Sequence, residues 1–258
     1  MSPAEMGLLA IVAYALAFMG QVAYARNGLW RGFLLLATCA ALFCHASQLH
    51  QLIDLPQGQN LSWVNLLSLL TWLSGLLIFL VDFILPIASL SLLVYPASIV
   101  AISLSIIIHP YHIVATEYQP KMLWHILLAS LLVALLIITA IQSALLVLQK
   151  FLLKQKKMLG LLQFFPPLQS MERLLFFEIS LSFISLTLFL LLSSVDFRSL
   201  KNFWDEGFLS FILWLIFLIV LVGRYRYQWR SLIAAILTCA GVGVALLIYL
   251  SHHWSGLL

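Results

Sequence analysis

The sequence predicts an all-α fold, a polytopic bundle of about eight transmembrane helices with both termini on the outer, periplasmic side. Three observations predict it. Of the 258 residues, 64% are apolar and only 9% are charged, whereas a soluble domain carries about 25% charged residues. The mean hydropathy is +1.10. The apolar residues fall in eight runs, most of them close to the ~20 residues that cross a bilayer. At ~30 residues per span and turn, this length leaves almost nothing for a folded domain outside the membrane. A soluble enzyme, a disordered chain and a nucleic-acid-binding domain are excluded. Residues 1–258 read as a single transmembrane domain.

The expected spans are about 6–25, 32–50, 63–81, 84–108, 122–149, 174–194, 207–223 and 231–250. The first five residues carry no Lys or Arg, so the first run reads as a retained span rather than a cleaved signal. Spans three and four are parted only by Asp82 and its neighbours, and Pro86 and Pro96 are candidate kinks in the fourth. The fifth run outreaches a ~30 Å core at ~1.5 Å per residue and is expected to continue as a helix into the cytoplasm. Cys39, Cys44 and Cys239 lie in apolar runs without C-x-x-C spacing and read as buried structural thiols.

Basic residues set the orientation. Arg26 and Arg31 follow span one. Lys150, Lys154, Lys156, Lys157 and Arg173 lie between spans five and six. Arg224, Arg226 and Arg230 lie between seven and eight. Only Lys121, Arg198 and Lys201 fall on the opposite side. Basic loops stay in the cytoplasm. Six of the nine acids (Glu5, Asp54, Glu117, Asp196, Asp205 and Glu206) fall outside. The net charge of +4 is therefore a topology signal and implies anionic lipid as the neighbour, not nucleic acid.

This topology places all seven histidines outward: His45, His50, His109, His112, His125, His252 and His253. Two of them interrupt apolar runs. His45 lies near the outer end of span two and His125 at the outer start of span five. Intramembrane ionisable residues are functional candidates. Two neutral imidazoles on different helices can ligate an iron from both faces of a porphyrin. The competing reading for each is a histidine hydrogen-bonded to a backbone carbonyl or to water. His50, His109 and His112 read as solvated loop histidines. Pro110 breaks any helical pairing of His109 with His112, and nothing completes a zinc site.

No catalytic set appears: no G-x-S-x-G, no H-E-x-x-H and no phosphate-binding glycine loop. The chain is expected not to be an enzyme. Asp205-Glu206 reads as a helix-start acid pair. Glu172-Arg173, after Pro166-Pro167, reads as a structural turn with an ion pair. Glu178 reads as snorkelling to the cytoplasmic interface, and no span centre shows a clear acid or base. Gly241-Val242-Gly243 suits close helix packing. Trp30, Trp204 and Trp229 sit at span boundaries, as interfacial aromatics do. No internal repeat is visible, which argues against a transporter.

Five segments carry a resemblance over essentially the whole chain. They are Cys44-His45-Ala46; Gly58-Gln59-Asn60-Leu61-Ser62; Met122-Leu123-Trp124-His125-Ile126; Pro166-Pro167-Leu168-Gln169-Ser170-Met171-Glu172-Arg173; and Trp229-Arg230. In this order the set resembles the cytochrome c assembly (CcsA/CcmC-type) family of haem-handling membrane proteins, in its YpjD/HemX-like branch. The resemblance implies haem as cofactor, of unspecified type, and cytochrome maturation or another membrane protein as partner. It implies ligand roles for His125 and His45. His252, His253 and Trp204 are further candidates by position. The family's W-G-x-W-x-W-D signature is reduced here to Phe203-Trp204-Asp205. Val222 stands where cytochrome-assembly members carry a histidine late in span seven.

The expected function is an inner-membrane haem-binding or haem-handling protein with an outward-facing bis-His site at His45 and His125. One alternative is an assembly or regulatory partner that docks through its basic cytoplasmic segment 150–173. The other is a transport permease component, for which the sequence offers little polar lining.

Overall fold

A computed structural model describes residues 2–27, 30–84, 88–108, 110–114, 120–155, 165–196 and 208–255. Within the helices, the side chains of residues 26–27, 88, 120–126, 193–196, 208–209 and 244–255 lie outside that description. The helices are α1 (Pro3–Asn27), α2 (Arg31–Ile53), α3 (Trp63–Val81), α4 (Ala88–Ile107), α5 (Pro120–Gln155), α6 (Leu168–Asp196), α7 (Phe208–Tyr227) and α8 (Ser231–Ser255). Seven are long and apolar enough to cross a bilayer. The eighth, α8, is apolar over its described stretch Ser231–Gly243. An all-α polytopic bundle is what a bilayer demands, because each helix satisfies its own backbone polar groups.

The described chain falls into two compact units. Unit 1 comprises α1 to α4 and α5 up to Ala134. Unit 2 comprises the rest of α5 with α6, α7 and α8. In unit 1, α1 packs on α2 and α4, and α3 packs on α2 and α4. Small residues permit the close approach. Ala10, Ala17 and Ala41 are fully buried beside Tyr14 and Ile102. A Cβ added at Gly7 would meet the Gln48 amide at 2.7 Å. The outward faces carry Leu8, Val12, Met19, Leu36 and Phe43, which are exposed as lipid-facing side chains should be.

At one end of unit 1, three short strands join the α2–α3 and α4–α5 loops. Strand β1 (Asp54–Leu55) pairs antiparallel with β2 (Gly58–Asn60), and β2 pairs antiparallel with β3 (Ile113–Val114). Gly58 has φ 135°, a conformation that favours glycine. Asn60 fastens the sheet. Its Nδ2 donates to the Pro110 carbonyl (3.3 Å) and its Oδ1 accepts from the His112 N–H (2.9 Å). The Leu61 N–H then donates to the His112 carbonyl at 2.9 Å. At the opposite end, Arg31 donates to the carbonyl of Asp82, the residue that closes α3. The two loop sets thus lie at opposite ends, as alternating spans require.

In unit 2, α6 packs on α7 and α7 on α8. Trp214 stacks on Phe183 (5.3 Å) and donates to Thr187 Oγ1 at 2.8 Å. The Arg224 guanidinium lies over the Phe176 ring at 4.5 Å. Gly241 lets α8 approach Ile216 of α7, where an added Cβ would sit 3.2 Å from the side chain. Gly243 has open space and does no such packing.

Several sequence expectations are corrected. Cys39 is exposed and Cys44 and Cys239 are only partly buried, because apolar runs have lipid-facing sides as well as cores. Helix α6 begins at Leu168 rather than near 174, since the N–H groups of Ser170 and Met171 both turn back to the Pro167 carbonyl. Glu172 pairs with Lys150 of α5 (2.9 Å) and accepts from Ser231 of α8, with no ion pair to Arg173. Glu178 does not snorkel. It is 4% exposed, well inside α6, so a span does carry a deep acid. Pro96 lies inside α4, whereas Pro86 and the Asp205-Glu206 pair lie outside the described residues.

Candidate functional site

His45 lies on α2, which ends two turns later at Ile53. It is fully buried. Its Nδ1 is 3.3 Å from the Tyr14 hydroxyl of α1, and its Nε2 is 2.9 Å from Ser68 Oγ of α3. The Tyr14 and His45 rings meet edge to face at 5.8 Å. One imidazole nitrogen accepts and the other donates, so a neutral ring is fully satisfied. Tyr14 in turn faces Tyr95 of α4, whose hydroxyl is 3.0 Å from Thr38 Oγ1. His45 therefore joins three helices, and neither ring nitrogen is left over for a metal.

The α2–α3 seam continues outward. Trp72 Nε1 donates to the Leu42 carbonyl at 2.9 Å. Beyond it opens a cavity of about 280 Å³, lined mainly by Ala46, Leu49, Ile53, Leu69, Trp72 and Leu127. The lining is apolar except at the rim, where His50, Asp54 and Gln59 stand. His50 Nδ1 is 2.6 Å from Asp54 Oδ2, and Gln59 Nε2 donates to Asp54 Oδ1 at 3.2 Å. A carboxylate on Nδ1 fixes the tautomer and leaves Nε2 as a free donor atom. The sequence reading passed over His50 as solvated. It is indeed exposed, with 76% of its side chain accessible. The missed signal was local: Asp54 follows at i+4, so one helical turn sets the carboxylate beside the ring.

The other expected site residues divide simply. His125 lies on the second turn of α5, and Leu127, two residues on, lines the cavity. The His125 side chain is outside the described residues, as are those of His252 and His253 on the last turns of α8. Trp204 and His109 are likewise outside them. His112 is exposed and held through its backbone. Val222 is 47% exposed and points away from the core of unit 2. Among the described residues no three His, Cys, Asp or Glu side chains gather as a metal site. Of the basic segment 150–173, Lys150 is committed to Glu172, Lys154 is exposed, and residues 156–164 lie outside the description.

The fold thus defines a multi-pass helical membrane protein with an apolar cavity at one end, rimmed by a carboxylate-oriented histidine. The chain belongs to the cytochrome c assembly family: the family model described as "Cytochrome C assembly protein" matches residues 32–258. Its relatives include the "Inner membrane protein YpjD" of Escherichia coli strains K12 and O157:H7, each 32% identical with 94% of both chains covered. No solved structure matches the chain. The chain is accordingly a multi-pass protein of the inner membrane.

The cavity suits haem in chemistry. It presents apolar walls for a macrocycle and an oriented imidazole with a free nitrogen. At about 280 Å³ it lies at the lower edge of small-molecule pockets, about 300–1,000 Å³, so it houses part of so large a ring.

Proposed function

We propose that this protein holds haem at the outer face of the inner membrane and presents it to a membrane or cytochrome-maturation partner. His50 and His125 are the iron ligands in this reading, and Asp54 orients His50. The observation that carries it is the His50–Asp54–Gln59 chain at the rim of an apolar cavity, next to the helix that bears His125. Family membership supports haem as the cargo. When bound, haem would supply an iron centre whose reactivity the side chains that hold it would tune. The chain's own part is to bind and orient, which is not an enzymatic turnover.

The proposal replaces His45 by His50 in the ligand pair expected from sequence. His45 becomes a positioning residue: with Ser68 it clamps α2 to α3, next to the cavity wall Leu69 and one turn from Trp72. His252, His253 and Trp204 stay as further candidates, to be tested in the same way.

The experiment is a visible spectrum of the detergent-purified full chain, before and after haem reconstitution. A Soret band is expected. His50→Ala and His125→Ala should each shift it, with added imidazole restoring it. Asp54→Asn should weaken haem retention about 10–100-fold, as loss of an orienting partner does. No Soret band after reconstitution overturns the proposal, and a band unmoved in the His50→Ala, His125→Ala double variant overturns the ligand assignment.

A further inference from the structure

The deepest acid in the described chain has no role in the outer site. Glu178 lies mid-way along the apolar stretch Leu168–Leu192 of α6 and is 4% exposed. Its Oε2 has no hydrogen-bond partner, and among the described residues Glu178 has no ion-pair partner. Its neighbours on α6 locate it. Met171, Glu178 and Ser182 share one stripe, being two turns and one turn apart. Gln142 Nε2 of α5 donates to the Met171 carbonyl at 3.2 Å, and Thr139 Oγ1 of α5 meets Ser182 Oγ at 3.1 Å. Glu178 falls between these two clamps, facing the 139–143 stretch of α5.

That same stretch meets α8, where Cys239 Sγ donates to the Ala140 carbonyl at 3.5 Å and bonds Ser143. Two more buried polar atoms at this level lack partners: Gln142 Oε1 and Thr238 Oγ1. Three unpaired polar atoms on three neighbouring helices is far from the usual near-complete satisfaction. Inside hydrocarbon the cost is greater still. About 10 Å nearer the cytoplasm, by helical rise, stand Lys150, Glu172 and Ser231, themselves hydrogen-bonded together. This cluster draws on α5, α6 and α8, the same three helices that meet around the buried carboxyl.

We propose that Glu178 is a proton-binding site within the bilayer, reached from the cytoplasmic end of unit 2 past Lys150 and Glu172. Its carboxylate takes one proton from cytoplasmic water and becomes a neutral acid. The O–H so formed donates to the unpaired acceptors facing it, Gln142 Oε1 or a water held by Ser143 and Thr238. The proton leaves by the same path, and no oxidant or second substrate is needed. Neutralisation is required because an ionised carboxylate at this depth has no counter-charge. The described titratable and charged groups on the surrounding elements are Lys150 and Lys154 on α5, Glu172 and Arg173 on α6 itself, Arg224, Tyr225, Arg226 and Tyr227 on α7, and Cys239 on α8. Lys150 is occupied by Glu172 at 2.9 Å.

The test uses the full-length protein in inverted vesicles, whose cytoplasmic face is outward, and the apolar reagent dicyclohexylcarbodiimide. The reagent adds to a protonated carboxyl in an apolar setting and leaves a stable N-acylurea. Peptide mass spectrometry should place the adduct on Glu178. Labelling should fall about tenfold per pH unit once the bath pH passes the titration point, with the lumen pH held constant. Sodium ions should give no protection. The wild-type chain is the probe, so misfolding of a variant does not blunt the result. Glu178→Gln should lose the adduct and Glu178→Asp should keep it. An unlabelled Glu178 at every pH overturns the proposal. Labelling that follows lumen pH, or none, overturns the cytoplasmic route, and protection by sodium makes the group a cation site instead.

Discussion

At the scale of single residues, His45 and His50 show how burial and partners decide what a histidine is for. Both lie on the outer half of α2. His45 is enclosed with a partner on each nitrogen, and His50 is exposed with a partner on one. The first arrangement holds helices together and the second leaves a nitrogen to offer. Removing His45 takes one partner from the Tyr14 hydroxyl, which also bonds Ser98, deprives Ser68 Oγ of the imidazole and opens a cavity. His45→Ala should therefore cost about 2–4 kcal/mol. It would be seen as a lower melting temperature in detergent, with the Soret position unchanged in whatever protein stays folded. A lost Soret band in a variant of wild-type stability would instead make His45 a ligand. The sequence singled out His45 because it interrupts an apolar run. It could not show that Tyr14, 31 positions away, and Ser68, 23 positions away, already occupy the ring.

At the scale of elements, the ends of helices were harder to read than their middles. The apolar core of a span is legible because the bilayer imposes it. The first turn of α6 is polar in composition, so hydropathy starts the span late, while backbone hydrogen bonding to Pro167 starts the helix at Leu168. The turn from α7 to α8 has a similar local logic. Gln228 takes φ 50°, the Trp229 N–H bonds the Gly223 carbonyl, and the indole lies over Gly223, where a Cβ would collide. The Gly223 and Trp229 positions flank Arg224, so this turn also sets the guanidinium that lies on Phe176.

The end of α3 supplies a pH test. Burial pushes the Asp82 carboxyl above its ordinary value of 3.8, and the nearby Arg31 opposes this only partly. The folded state then holds the proton more tightly than the unfolded state. Stability from this group is present below 3.8 and is lost as pH rises through the higher folded value. Asp82→Asn should flatten the melting temperature across that window and leave it at least as high at neutral pH. A melting curve that rises with pH there in wild type, with the same slope in Asp82→Asn, would contradict the assignment.

At the scale of the whole molecule, the sparse charges sort the chain across the membrane, and the described loops agree with that sorting. The α2–α3 and α4–α5 connections meet in one sheet, while Arg31 meets Asp82 at the other end. What the sequence did not disclose is the pairing of polar residues inside the bundle. Ser68, Thr38 and Thr238 look alike in a hydropathy profile, yet the first two have partners and the last has a bare oxygen. Such differences depend on which faces meet, and alternation of spans does not specify faces. Membership of the cytochrome c assembly family was legible from the order and spacing of five short segments taken together.

The stitch made by Asn60 bears on time as well as shape. Loop amides at a membrane's aqueous border ordinarily exchange their hydrogens freely. Here the His112 N–H is held by Asn60 Oδ1 and the Leu61 N–H by the His112 carbonyl, across two connections far apart in the chain. Both amides should exchange with deuterium only when the two loops part company, and therefore together. Asn60→Ala should release both at once, by about five- to tenfold if one hydrogen bond of ~1 kcal/mol is lost. The mouth of the cavity would then behave as one latch with a measurable opening rate.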